Sequence, residues 1–109
     1  MSDTARRLIA DQDNGLWLSA ASVWELGTKH ALGRLPLRAP FQRIMLDGAR
    51  AEGLGLLDVS AAHAAEAAQL PPLHSDPFDR MLVAQARLEC RTVVTRDPDI
   101  RRYDVDTAW

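Results

Sequence analysis

Three acidic side chains carry the chemistry this sequence could do: Glu25 in SAASVWELGTKHALGRL, Asp79 in HSDPFDRMLVAQA and Asp97 in TVVTRD. They sit in segments of different type, a helix, a helix start and a strand end. If those segments converge, their oxygens form the hard-donor pocket that Mg²⁺ or Mn²⁺ prefers. A carboxylate-held divalent ion most often serves phosphoryl transfer, so the set points to a metal-dependent nuclease. Each acid also has a plain structural role. Glu25 stands three residues after Ser22 and would complete a capping box. Asp76, followed by Pro77, is an N-cap, and Asp79 in the first turn suits the helix dipole. Asp97, followed by Pro98, starts a turn. Cap and site are compatible, because a helix N-terminus at a pocket mouth serves both.

The elements that must position these acids alternate between helix and strand. Ser2 caps a short helix, TARRLIAD, and Asp13-Asn14-Gly15 is turn chemistry. Leu16 to Ser19 reads as a buried strand, and Ser22 caps the helix VWELGTKHAL, closed by Gly33. The segment from Leu35 to Pro40 is a linker. Residues 41–52 put Phe41, Ile44, Met45 and Ala49 on one helical face, ended by Gly53. Leu54 to Val59 is a second strand. Ser60 caps AAHAAEAAQ, and Pro71-Pro72 stops it. Asp76-Pro77 opens a helix whose inner side carries Phe78, Met81, Leu82 and Ala86. Arg91 to Thr95 is a strand, and residues 102–109 add a short edge strand. This alternation predicts an α/β three-layer sandwich with a mainly parallel sheet. Sites in such sheets form beyond the carboxyl ends of strands. Ser19, and Thr95 with Asp97, stand there.

Bulk properties bound the answer. The chain has 109 residues, which fits one domain, with 47% hydrophobic and 26% charged residues, an ordinary globular balance. The single cysteine, Cys90, excludes an internal disulfide, and no zinc-binding spacing occurs. No apolar run approaches a membrane span and the N-terminus lacks a signal-peptide core, so a cytoplasmic location with no membrane partner is expected. A net charge of −2 argues mildly against a pure nucleic-acid-binding module, and less against a nuclease with an acidic pocket. Lys29, Arg34, Arg38, Arg80, Arg96, Arg101 and Arg102 read as solvated surface. His30 and His63 read as surface residues, and His74 is not expected in the pocket. Trp17 and Trp24 read as core, and Trp109 as packed on an edge or a partner.

SAASVWELGTKHALGRL, HSDPFDRMLVAQA and TVVTRDPDIRRYDV, in this order and spacing, resemble the PIN-domain toxins of the VapC type. The resemblance implies an α/β/α sandwich and a Mg²⁺- or Mn²⁺-dependent endoribonuclease acting on RNA. It also implies a VapB-type antitoxin partner and a homodimer. By the match, Glu25, Asp79 and Asp97 correspond to the family's second, third and fourth acids. Asp76 is an accessory acid in many such sequences, and Ser19 and Thr95 would line the same pocket. Family chains begin with a strand ending in an Asp, the first metal ligand, and no such stretch occurs here. Asp3 shares the letters DT but lacks the preceding apolar strand. The expectation is therefore one PIN-like domain over residues 1–109, incomplete at its N-terminus, without its usual first strand. Metal binding should be weak, nuclease activity impaired and self-association favoured, and crowded acids should raise at least one pKa. The alternative is a non-catalytic remnant of the fold that binds an antitoxin or itself. A phosphate-accepting receiver domain fits poorly, since the only lysine, Lys29, stands on a helix.

Overall fold

The computed structural model describes residues 2–11 and 15–109. Asp13 and Asn14 of the expected turn lie outside the described residues. The fold is α/β with parallel strand pairing, the class that the alternation predicts. The chain divides into two compact units, Gly15–Asp58 and Met1–Asn14 with Val59–Trp109.

In the unit Gly15–Asp58, strand β1 (Trp17–Ser19) pairs parallel with β2 (Gly55–Leu57), in the register Trp17↔Gly55, Leu18↔Leu56, Ser19↔Leu57. Parallel strands need a crossover, and helices supply it. The first crossover helix, Ala20–Ala31, follows β1 directly. It is capped by Ser19, whose Oγ accepts from the Ala21 N–H at 3.0 Å. The cap expected at Ser22 is thus displaced by three residues. A strand that ends in Ser can hand its chain straight to a helix, so Ser22 becomes a helical residue and the Ser22–Glu25 capping box does not form. The helix ends as expected. Gly33 at φ +75° lets its own N–H reach the His30 carbonyl, while the Arg34 N–H reaches that of Lys29. The helical face expected over residues 41–52 is present with Ala49 buried. Its middle, Arg43–Asp47, is a π-turn that runs into Gly48–Ala51, and Gly53 at φ +77° stops it.

Trp17 and Trp24 are not core residues, being 47% and 69% exposed. Trp17 is the exposed first residue of β1, and its ring lies over the backbone of β2. A Cβ added at Gly55 would meet that ring at 2.5 Å. Gly55→Ala is therefore expected to cost about 1–3 kcal/mol, since the ring must swing off the strand. A thermal melt showing no loss would mean the ring moves freely.

In the other unit, the first helix, Asp3–Ala10, carries the expected Ser2 cap, with Ser2 Oγ accepting from the Ala5 N–H at 3.1 Å. Further along lie the helices Ala61–Gln69, Pro77–Glu89 and Pro98–Arg101. In chain order through both units the helices are α1 (Asp3–Ala10), α2 (Ala20–Ala31), α3 (Gly48–Ala51), α4 (Ala61–Gln69), α5 (Pro77–Glu89) and α6 (Pro98–Arg101). β3 (Val93–Val94) and β4 (Thr107–Ala108) pair parallel. The core gathers Leu70, Val83, Ala84, Ile100 and Tyr103, with Val93 and Val105 packed against it. On α5 the fully buried run is Val83 to Ala86, so of the expected inner residues only Ala86 is buried, while Phe78, Met81 and Leu82 are half-buried.

His63 is buried, not on the surface. Its Nδ1 accepts from the Ser60 N–H at 3.0 Å while its own N–H donates to Ser60 Oγ, a capping box with histidine in the usual Glu position. With Nδ1 an acceptor, the ring proton lies on Nε2, 2.9 Å from Glu89 Oε1 at the far end of α5. Among the described residues no helix is long and apolar enough to cross a membrane.

Candidate active site

Asp76 has extended backbone (φ −67°, ψ 113°), as a residue before proline must, and Pro77 begins α5. Asp76 Oδ1 accepts from the N–H groups of Phe78 and Asp79, at 2.9 and 3.1 Å. This cap fixes Asp79 on the first turn of α5, where its side chain is only 19% exposed.

Asp97 is held in a similar way. β3 stops at Val94, and the Thr95 N–H still bonds the Ala108 carbonyl at 2.8 Å, extending the pairing. Thr95 Oγ1 accepts from the Asp97 N–H at 3.0 Å, and Asp97 Oδ1 accepts from the Asp99 N–H at 2.9 Å. Asp97 therefore begins a helix, α6, rather than a simple turn, and Thr95 fixes the loop that carries it.

Asp76, Asp79 and Asp97 share one electrostatic neighbourhood. Burial pushes the Asp79 carboxyl above the usual carboxylate range, and the charge of Asp76 adds to this, as does that of Asp97 more weakly. The hydrogen bond from His74 pulls the other way without cancelling them. Crowded carboxylates raising a neighbour's pKa is the effect the sequence predicts. Ser19 and Glu25 belong to the other unit: Ser19 is the buried cap of α2, and Glu25 is half-buried in its second turn rather than at its start.

Two side chains dismissed on sequence stand in this neighbourhood. His74 Nε2 lies 3.4 Å from Asp79 Oδ2, and its Nδ1 lies 2.7 Å from the hydroxyl of Tyr103. Arg80 is not a solvated surface cation. Its guanidinium donates to the Tyr103 hydroxyl at 3.2 Å and to the carbonyls of Ala67, Leu70 and Pro71. The spacing of His74, five residues before Asp79 and just ahead of the cap, was the available signal. Tyr103 gave none, because its partners are remote in sequence.

The chemistry of these donors suits a hard cation. Mg²⁺ is commonly bound by one or two carboxylates and keeps several waters. Among the described residues no group of three or more His, Cys, Asp or Glu side chains is arranged to hold a metal ion. Asp79 and Asp97 thus fit a water-rich divalent site better than an all-protein cage.

An α/β fold with parallel pairs and acids at a helix start and a strand end defines a class, and comparison gives the family. Residues 1–106 match the PIN domain, so the chain belongs to the PIN-domain family. Over 60 residues it is also 38% identical to Ribonuclease VapC16 of Mycobacterium tuberculosis (strain ATCC 25618 / H37Rv). That match covers 55% of this chain and 43% of the relative, so it spans less than half of the curated protein.

Proposed function

We propose that the chain is the toxin of a type II toxin–antitoxin pair, a divalent-metal-dependent endoribonuclease of the cytoplasm. The observation that carries this is the shared electrostatic neighbourhood of Asp76, Asp79 and Asp97 in a PIN-domain chain. The similarity to a VapC ribonuclease supports RNA as substrate and a VapB-type antitoxin as partner. In this reading Asp79 and Asp97 are ligands, with Asp76 accessory and Thr95 bordering the site, while the family resemblance alone assigns Glu25 a ligand role and Ser19 a place beside it. The caps use Oδ1 of Asp76 and of Asp97, so Oδ2 of each is the oxygen to meet a cation. A bound Mg²⁺ or Mn²⁺ supplies an activated water and an electrostatic partner for charge on the scissile phosphate. The chain's own part is placement: two caps hold the carboxylates at the starts of α5 and α6. Trp24 and Leu32, 69% and 63% exposed, offer apolar surface to an antitoxin or a second copy.

RNA cleavage with Mg²⁺ or Mn²⁺, and its loss in EDTA, tests the reading. Glu25→Gln and Asp97→Asn are each expected to lower the rate by roughly tenfold or more, as loss of a charge-stabilising ligand should. Full activity in Glu25→Gln would remove Glu25 from the site. No cleavage at all would favour the non-catalytic alternative, and cleavage that persists in EDTA would overturn the metal-dependent reading.

A further inference from the structure

We propose that His74 is a positioning residue for the Asp79 carboxylate, and that Tyr103 and Arg80 set the tautomer in which it acts. The inference rests on the reading of Asp79 as a metal ligand given above.

An arginine guanidinium only donates, so the Arg80 N–H at 3.2 Å makes the Tyr103 oxygen an acceptor. Tyr103 is buried, and the other partner seen at its hydroxyl is His74 Nδ1 at 2.7 Å. The phenolic proton then goes to Nδ1, since any other arrangement buries it without an acceptor. A neutral imidazole whose Nδ1 accepts carries its proton on Nε2. That nitrogen faces Asp79 Oδ2 at 3.4 Å, a long contact that shortens with a small rotation of the carboxylate. The direction of donation is therefore fixed along the chain Arg80, Tyr103, His74, Asp79. Its anchor is firm, because Arg80 is also tied to the carbonyls of Ala67, Leu70 and Pro71. The aromatic ring of Tyr103 meets the imidazole edge-on, with centroids 5.3 Å apart, so ring orientation is held as well. With Oδ2 engaged by His74, Oδ1 of Asp79 is the oxygen presented to a cation. Hydrogen-bonded outer partners of this kind orient ligands and tune their affinity.

Calorimetric titration of the 109-residue chain with Mn²⁺ tests this, with circular dichroism confirming that each variant folds. His74→Ala is expected to weaken Mn²⁺ binding by roughly ten- to a hundredfold. His74→Gln, whose amide N–H reaches about where Nε2 stood, should recover most of that loss. Nitrogen NMR should show the Nε2-protonated form in the wild type and a mixture of tautomers in Tyr103→Phe. A structural role alone would move neither the rescue nor the tautomer. Should His74→Ala not fold, His74→Gln and Tyr103→Phe decide. If Asp79→Asn abolishes binding while folded His74→Ala binds like the wild type, the positioning role is overturned and the site stands. A folded His74→Gln that binds as poorly as Asp79→Asn, or unchanged tautomers in Tyr103→Phe, also overturns it. If the wild type binds no Mn²⁺, or Asp79→Asn leaves its affinity unchanged, the reading of the site falls and takes this inference with it.

Discussion

Asp79→Asn is expected to abolish metal-dependent RNA cleavage and, in metal-free solution at neutral pH, to raise the melting temperature. The first effect follows from removing a charged ligand where charge develops on phosphate. Such stabilisation supplies several kcal/mol, so the rate should fall by at least about a hundredfold. The second follows from the direction of the Asp79 pKa. Burial, and then the charge of Asp76, hold it above its unfolded value. A group raised in this way contributes stability that is fully present below the unfolded pKa and lost as pH rises through the folded one. Asparagine does not titrate and loses nothing over that window. Its amide oxygen still accepts from His74, so the comparison isolates the charge. The gap in melting temperature should therefore be absent at strongly acid pH and open above about pH 4. Loss of a favourable first-turn charge on α5, about 0.3–1 kcal/mol, makes the gap smaller without changing its origin. Adding Mg²⁺ should close it, because metal binding to the native state stabilises only the wild type. Melting scans across pH, with and without metal, check this. A variant that cleaves RNA like the wild type, or melts lower at every pH, would remove Asp79 from the role assigned to it.

Arg80→Ala is expected to cost about 2–4 kcal/mol and to lower the melting temperature by roughly 10–20 °C. The last carbonyls of any helix lack intrahelical partners. α4 ends at Gln69, and Pro71-Pro72 follows, so no glycine is available to close it. Arg80 does this from α5 instead, donating to the carbonyls of Ala67, Leu70 and Pro71 at 2.9, 3.1 and 3.0 Å. A cation there also suits the negative end of the α4 dipole. The same guanidinium holds the buried Tyr103 hydroxyl. Truncation leaves several partly buried acceptors unsatisfied at once, the costly case for hydrogen bonds. Arg80→Lys keeps the charge but cannot fork to several carbonyls, so it should fall between alanine and wild type. Chemical denaturation measures both. A loss below about 1 kcal/mol for Arg80→Ala would mean water replaces these bonds freely.

Local chemistry was legible in the sequence wherever the signal and its partner lie within a few residues. Ser2, Ser60 and Asp76 cap as their spacing implies, and Gly33 and Gly53 take the positive φ that ends a helix. The alternation of helix and strand predicted the α/β class and the parallel pairing, and the acidic segments pointed to the family. The errors were of another kind. Ser22 and Ser19 are both good caps, and only the strand ending at Ser19 decides between them. Trp17 and Trp24 read as core by type, yet which face of a strand or helix is covered depends on what packs there.

Arg80 and His63 read as surface, and His74 as outside the pocket, because charge and polarity favour water. Their partners, Tyr103, the end of α4 and Glu89, lie between 10 and 29 residues away, beyond the reach of any local pattern. Residue types and short spacings thus determined the elements, their ends and the acids available for chemistry. Tertiary structure alone decided which polar groups are buried together. Burial makes an unpaired proton or charge costly, and so fixes which side chain holds which.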